Sequence, residues 1–137
     1  MTISATARAN QALPWVVALY AAASLLHFVH NAEHLAQYPR LPSSWSRVDV
    51  YLAWCVVTTV GTVGYALYLR GNRPVGLSFL ALYAILGFAG LLHYIRAPFA
   101  NHSSMMNITI CTEVAAAAAL LVDVLILAAG MDRPSGA

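Results

Sequence analysis

The sequence predicts an all-α integral membrane protein, a four-helix bundle with both ends of the chain on the same side of the bilayer. Three observations predict it. Of 137 residues, 61% are hydrophobic and only 9% are charged, whereas a soluble domain carries about 25% charged residues. The mean hydropathy is +0.70. Apolar runs of membrane-crossing length lie near residues 14–38, 50–69, 75–95 and 105–130, separated by short polar connections. Lipid admits only helices or closed barrels, because backbone polar groups must be satisfied internally. Residues 1–137 therefore read as a single four-span transmembrane domain with no room for a separate soluble catalytic domain.

The first run opens at Pro14, a good first helical position, and closes at Tyr38 before Pro39 and Pro42. A cleaved signal peptide is the rival reading, because Arg8 precedes an apolar stretch and Ala21-Ala22-Ala23 resembles a cleavage site. The run continues through His27 and His34, which is longer than an ordinary signal core. The second run follows the turn residues around Trp45 and Asp49, with Trp54, Tyr65 and Tyr68 near its ends as interfacial anchors. A carboxylate at Asp49 suits a helix N-terminus. The third run lies between Pro74 and Arg96, and the fourth ends near Gly130. Gly61, Gly64, Gly87, Gly90 and the alanines 115–119 permit close helix approach.

All seven basic residues are arginines and they are scattered singly, so the chain has no stripe for nucleic acid. Cys55 and Cys111 lie inside apolar runs and make neither a disulfide framework nor a metal knuckle. With four spans, Arg8, Arg70, Arg73 and Arg133 share one side, and Arg40, Arg47 and Arg96 the other. The positive-inside rule then favours a cytoplasmic N-terminus, in a compact chain suited to a bacterial inner membrane.

The unusual residues gather at the other, non-cytoplasmic end. His27, His30 and His34 fall at the end of span one, His93 at the end of span three and His102 at the entry to span four, joined by Glu33 and Glu113. At about 100° per residue, His27, His30, Asn31 and His34 share one arc of their helix. His102, Met106, Thr109 and Glu113 form a stripe on span four. Counting about 1.5 Å per residue brings His27 and Glu113 to matching depth, where ionisable groups seek partners.

Three chemistries compete for this set. Imidazoles with carboxylates suit a transition metal such as Fe, Zn or Cu, with His27, His30, His34, His93 and Glu113 as ligands and Glu33, His102 and Asn31 supporting them. A histidine pair such as His27 and His93 would instead ligate haem. In the third, the residues form a metal-free polar cluster. HNAEH around Glu33 is not the zincin HExxH, and Glu113 lacks the ExxH partner of soluble di-iron bundles.

The function expected from the first chemistry is a metal-dependent enzyme acting on a hydrophobic, membrane-dissolved substrate, with Glu113 as ligand or as general base on metal-bound water. The alternatives are a metal- or haem-handling or transport subunit, or an accessory subunit working in an oligomer or with a larger membrane partner. Among the smaller features, Asn107 and Asn101 suit support or capping, and Tyr94 and Arg96 suit an interfacial belt. Asp123 near the far end is expected to pair with Arg70 or Arg73.

Overall fold

The computed structural model describes residues 4–41 and 44–131; the turn residue Pro42 and the flanking Arg133 lie outside the described residues. The helices are α1 (Ala5–Glu33), α2 (Arg47–Leu69), α3 (Arg73–Gly87), α4 (Leu92–Arg96) and α5 (Ser104–Met131), with 3-10 turns at Leu35–Gln37, Phe88–Leu91 and Phe99–Asn101. Among the described residues, four segments are long and apolar enough to cross a membrane: Ala5–Glu33, Arg47–Leu69, Arg73–Arg96 and Ser104–Met131. Four such helices are compatible with a small membrane protein.

Helix α1 departs from expectation at both ends. It starts at Ala5 instead of Pro14, because the Ser4 hydroxyl accepts from the Ala7 amide and the residues that follow are rich in Ala, Arg and Gln, all good helix formers. Pro14 lies inside the helix with its ring on the exposed outer face. At the other end the helix stops at Glu33, and His34 caps it by donating its amide to the His30 carbonyl. The 3-10 turn that follows folds Tyr38 inward until it is 4% exposed.

Helix α2 begins with a capping box: the Asp49 amide donates to Ser46 Oγ at 3.3 Å, and the Ser46 amide donates to Asp49 Oδ2 at 2.8 Å. Asp49 thus has the capping role expected of it. The α2–α3 connection turns at Gly71, whose φ of 89° an L side chain rarely adopts.

Each long helix packs on its neighbours in the cyclic order α1, α5, α3, α2. Residue pairings make every neighbouring pair antiparallel. Thr6 stands beside Gly130 and His27 beside Thr109; Gly87 meets Ala117 and Gly90 faces Glu113; Glu33 bonds Tyr51 and Asn10 bonds Tyr68. The outer ends of α1 and α5 therefore lie at the same end of the bundle. The interior is filled by Leu13, Tyr20, Leu80, Tyr83, Ala84, Ala117 and Leu120. Leu26, Val56, Ile85 and Leu125 face outward, as a lipid-facing surface requires.

Gly87 lets α3 approach so closely that Tyr20 and Ala117 occupy the space of a β-carbon there. Immediately after it the chain tightens into the 3-10 turn Phe88–Leu91, with no proline in the segment. That turn brings the bare Gly90 backbone opposite the Glu113 carboxylate.

Asp123 corrects one expectation. It is buried, its Oδ2 meets no hydrogen-bond partner, and among the described residues it makes no ion pair with Arg70 or Arg73. The register that sets His27 beside Thr109 and Thr6 beside Gly130 turns this face of α5 towards α1, away from the arginines. Arg73 instead lies over the Tyr68 ring, 5.7 Å from its centroid.

Candidate functional site

Helices α1 and α5 bring His27 and Glu113 together at the depth that counting residues gives. The residues are 3% and 2% exposed, with Nε2 and Oε2 3.7 Å apart. The other ring nitrogen, Nδ1, lies 3.5 Å from Thr109 Oγ1. Thr109 donates its own hydroxyl proton to the Met106 carbonyl at 3.1 Å. Its oxygen is therefore the acceptor for His27 Nδ1–H, which assigns the tautomer and leaves Nε2 as a lone pair facing Glu113. Two bare lone pairs held face to face repel, so the arrangement favours a pair carrying one proton, although at 3.7 Å the two atoms stand beyond hydrogen-bond length. Ser24, one turn before His27, lies within reach of Glu113 without making a well-formed hydrogen bond.

Around this pair the bundle leaves a cavity of about 200 Å³. Its apolar wall is built from Phe28, Leu41, Leu86 and Leu92, and Trp45 and Arg96 also line it. Its polar side is made by His27, Glu113, Asn31 and His93. Asn31 and His93 are each 8% exposed. Asn31 Oδ1 and His93 Nδ1 are buried and have no hydrogen-bond partner. A buried polar atom left unmade costs about 1–3 kcal/mol, so the cavity presents an unmet demand for hydrogen bonds.

His93 links the cavity to its surroundings by ring contacts. Its centroid lies 5.6 Å from His27, 4.9 Å from Tyr38 and 6.2 Å from His102. His102 is held by Nδ1 against the Pro98 carbonyl at 3.1 Å, and its Nε2 is buried without a partner. Asn107 fixes this corner: its amide donates to the carbonyls of Phe99 and His102, and its Oδ1 accepts from the Tyr94 hydroxyl. It caps the turn, as its phase on span four suggests. Arg96 lines the cavity, and its carbonyl accepts from Arg40.

The remaining predicted site residues stand elsewhere. His30 and His34, 4.6 Å apart between ring centroids, line a separate outer groove of about 530 Å³ with Gln37, Ser103 and Thr109. Tyr38 divides groove from cavity, with its hydroxyl 2.9 Å from His30 Nδ1 and its ring against His93. Burial pushes the Tyr38 phenol up to about 12, so it stays neutral near pH 7. Glu33 is exposed and engaged by Arg47 at 3.1 Å and Tyr51 at 2.9 Å, so it supports no imidazole. The expected five-ligand pool is thus split in two by Tyr38. Among the described residues no group of three or more His, Cys, Asp or Glu side chains is arranged to hold a metal ion.

Sequence reasoning missed Tyr38, Ser24 and Trp45 as parts of this region. Ser24 sits one helical turn from His27 and shares its face, a signal the histidine pattern obscured. Tyr38 and Trp45 lie in the irregular connection between spans, where no period reports which way a side chain turns. Comparison of the chain with protein-family models, with curated proteins and with solved structures finds no match in any of the three.

Proposed function

We propose that this chain is a multipass membrane protein that binds a small lipid-soluble molecule carrying a hydrogen-bonding end, and exchanges a proton with it through the His27–Glu113 pair. The observation that carries this reading is the cavity itself. A space of about 200 Å³ with apolar walls offers Asn31 Oδ1 and His93 Nδ1 without partners beside the buried His27–Glu113 pair. Apolar walls with a few convergent polar groups are the usual composition of a small-molecule site. Asn31 Oδ1 is an acceptor, so it calls for a hydroxyl or N–H on the ligand. The arginine imbalance across the spans supports an orientation in which this end faces the non-cytoplasmic side of a bacterial inner membrane.

A transition metal is the second reading, favoured by one distance. Metal–nitrogen and metal–oxygen bonds of about 2.1 Å each allow an ion to bridge His27 Nε2 and Glu113 Oε2 across their 3.7 Å gap. His93 would be the third ligand after turning its ring. In that case Glu113 is a ligand, and haem is disfavoured because a cavity of about 200 Å³ lies below the range of about 300–1,000 Å³ typical of ligand and cofactor sites.

Mass spectrometry of an organic-solvent extract, run beside metal analysis of the same detergent-purified protein, tests both readings. The first predicts a small molecule that co-purifies with the wild type and is lost in Gly90→Leu, where the new side chain enters the cavity beside Glu113. The second predicts near-stoichiometric metal lost in His27→Ala. Identical extracts from wild type and Gly90→Leu would overturn the first, and a metal-free wild type prepared without chelator would overturn the second.

A further inference from the structure

The outer groove and the inner cavity share a wall, and the polar groups in that wall line up. His30 lines the groove and its Nδ1 lies 2.9 Å from the Tyr38 hydroxyl. Tyr38 packs against Met106, whose carbonyl accepts the Thr109 hydroxyl at 3.1 Å, so the phenol and the Thr109 hydroxyl share one corner. Thr109 also lines the groove, and its Oγ1 lies 3.5 Å from His27 Nδ1. His27 Nε2 lies 3.7 Å from Glu113 Oε2, and both residues line the cavity. The Tyr38 and His93 rings also touch across this wall, with centroids 4.9 Å apart.

We infer that His30, Tyr38, Thr109 and His27 form a proton path between the outer groove and Glu113. Each member of the series carries a group that can give one proton on one side while taking one on the other, which a carbonyl or an ammonium cannot do. The outward transfer balances as follows. His27 releases its Nδ1 proton to Thr109 Oγ1 as Nε2 takes one from Glu113 Oε2. The Thr109 proton swings from the Met106 carbonyl to the Tyr38 oxygen, and Tyr38 passes its hydroxyl proton to His30 Nδ1. His30 releases the proton on its other ring nitrogen to water in the groove. No bond between heavy atoms changes, one proton leaves Glu113 and one appears in the groove, and the inward transfer is the same series reversed. The two longest gaps, 3.5 and 3.7 Å, exceed a good hydrogen bond, and such links commonly tighten only when a site is occupied.

The groups around the Glu113 end are few. Tyr20 and Ser24 face Glu113 from α1, Tyr83 from α3 and His93 from α4, while Arg96 lines the same cavity. None of them bonds both Glu113 and a groove-lining residue. Tyr38 and Thr109 therefore act as positioning residues that set how fast Glu113 equilibrates with the aqueous side. The inference deepens the reading of the cavity as a proton-exchanging site, and it can fail or hold without any ligand being bound.

Infrared difference spectroscopy after a pH jump, on ligand-free protein reconstituted in vesicles, follows the Glu113 carboxyl band, which is assigned by its loss in Glu113→Gln. The path predicts that Tyr38→Phe and Thr109→Val, which keep shape and remove a hydroxyl, slow the band by about 100-fold, the scale at which one placed proton-transfer group acts. Thr109→Ser keeps the hydroxyl and should restore the wild-type rate, which a merely structural role for Thr109 would not require. Equal rates in wild type, Tyr38→Phe and Thr109→Val would overturn the path, and so would a wild type in which no Glu113 band responds. Loss of ligand binding with these rates intact would count against the proposed function alone.

Discussion

His27 Nε2 lies 3.7 Å from Glu113 Oε2, and the two side chains meet across the α1–α5 contact on the polar side of the cavity. Placing two ionisable groups there is costly unless each answers the other. Removing one partner leaves a buried polar group alone, so Glu113→Ala should lower stability by about 3 kcal/mol. Replacing both, as His27→Leu with Glu113→Met, should recover most of that loss because apolar groups of similar volume need no partner. Thermal unfolding in detergent checks this, and additive losses in the double variant would contradict it.

Asp123 makes the opposite prediction. Its Oδ2 is buried with no hydrogen-bond partner. Asp123→Leu should therefore stabilise the protein by about 1–3 kcal/mol, the usual cost of an unmet buried polar group. A destabilised Asp123→Leu would show that the carboxyl has a partner outside the chain.

Close packing at Gly87 is a steric claim. A β-carbon there meets Tyr20 and Ala117, so Gly87→Val should cost about 1–3 kcal/mol, as overpacking does. Because Tyr20 donates its hydroxyl to the Tyr83 carbonyl at 3.2 Å, the same variant should disturb the α1–α3 contact. Unfolding midpoints equal to those of the wild type would contradict the packing.

Tyr38 predicts an alkaline effect. Burial raises its phenol from 10.0 in the unfolded chain to about 12 in the folded protein. Between those values the folded state binds more protons than the unfolded one, so the Tyr38 contribution to stability is present below pH 10 and lost as pH rises towards 12. Tyr38→Phe should flatten the decline of unfolding free energy over that window. An unchanged slope would show that the phenol is not held neutral by burial.

The spans were legible because twenty-odd apolar residues between polar turns leave little choice in lipid, and the meeting of His27 with Glu113 followed from a helical rise counted inward from each span. The histidines were expected as one ligand pool, and their division was not legible. His30 and His34 share an arc with His27, yet α1 ends at Glu33 and the chain then folds Tyr38 between them and the cavity. Helical phase cannot report a side chain that enters from an irregular turn. Glu33 and Asp123 show a related limit, since Glu33 met the nearby Arg47 and Tyr51 across the α1–α2 contact, while Asp123 was turned by register away from the arginines expected to pair with it. The start of α1 was hidden by Pro14, whose preference for a first turn was overruled by the Ser4 cap and the helix formers after it.

The most direct test of the central claim uses Trp45, which lines the cavity, as its reporter. In protein carrying Trp15→Phe and Trp54→Phe, Trp45 emission is titrated with a brominated phenol, a small apolar molecule with one hydroxyl. The account predicts saturable quenching that is abolished by Gly90→Leu and weakened about tenfold by Asn31→Leu, the loss of one ligand hydrogen bond of about 1.4 kcal/mol. Quenching that rises linearly without saturation, and equally in all three proteins, would contradict it.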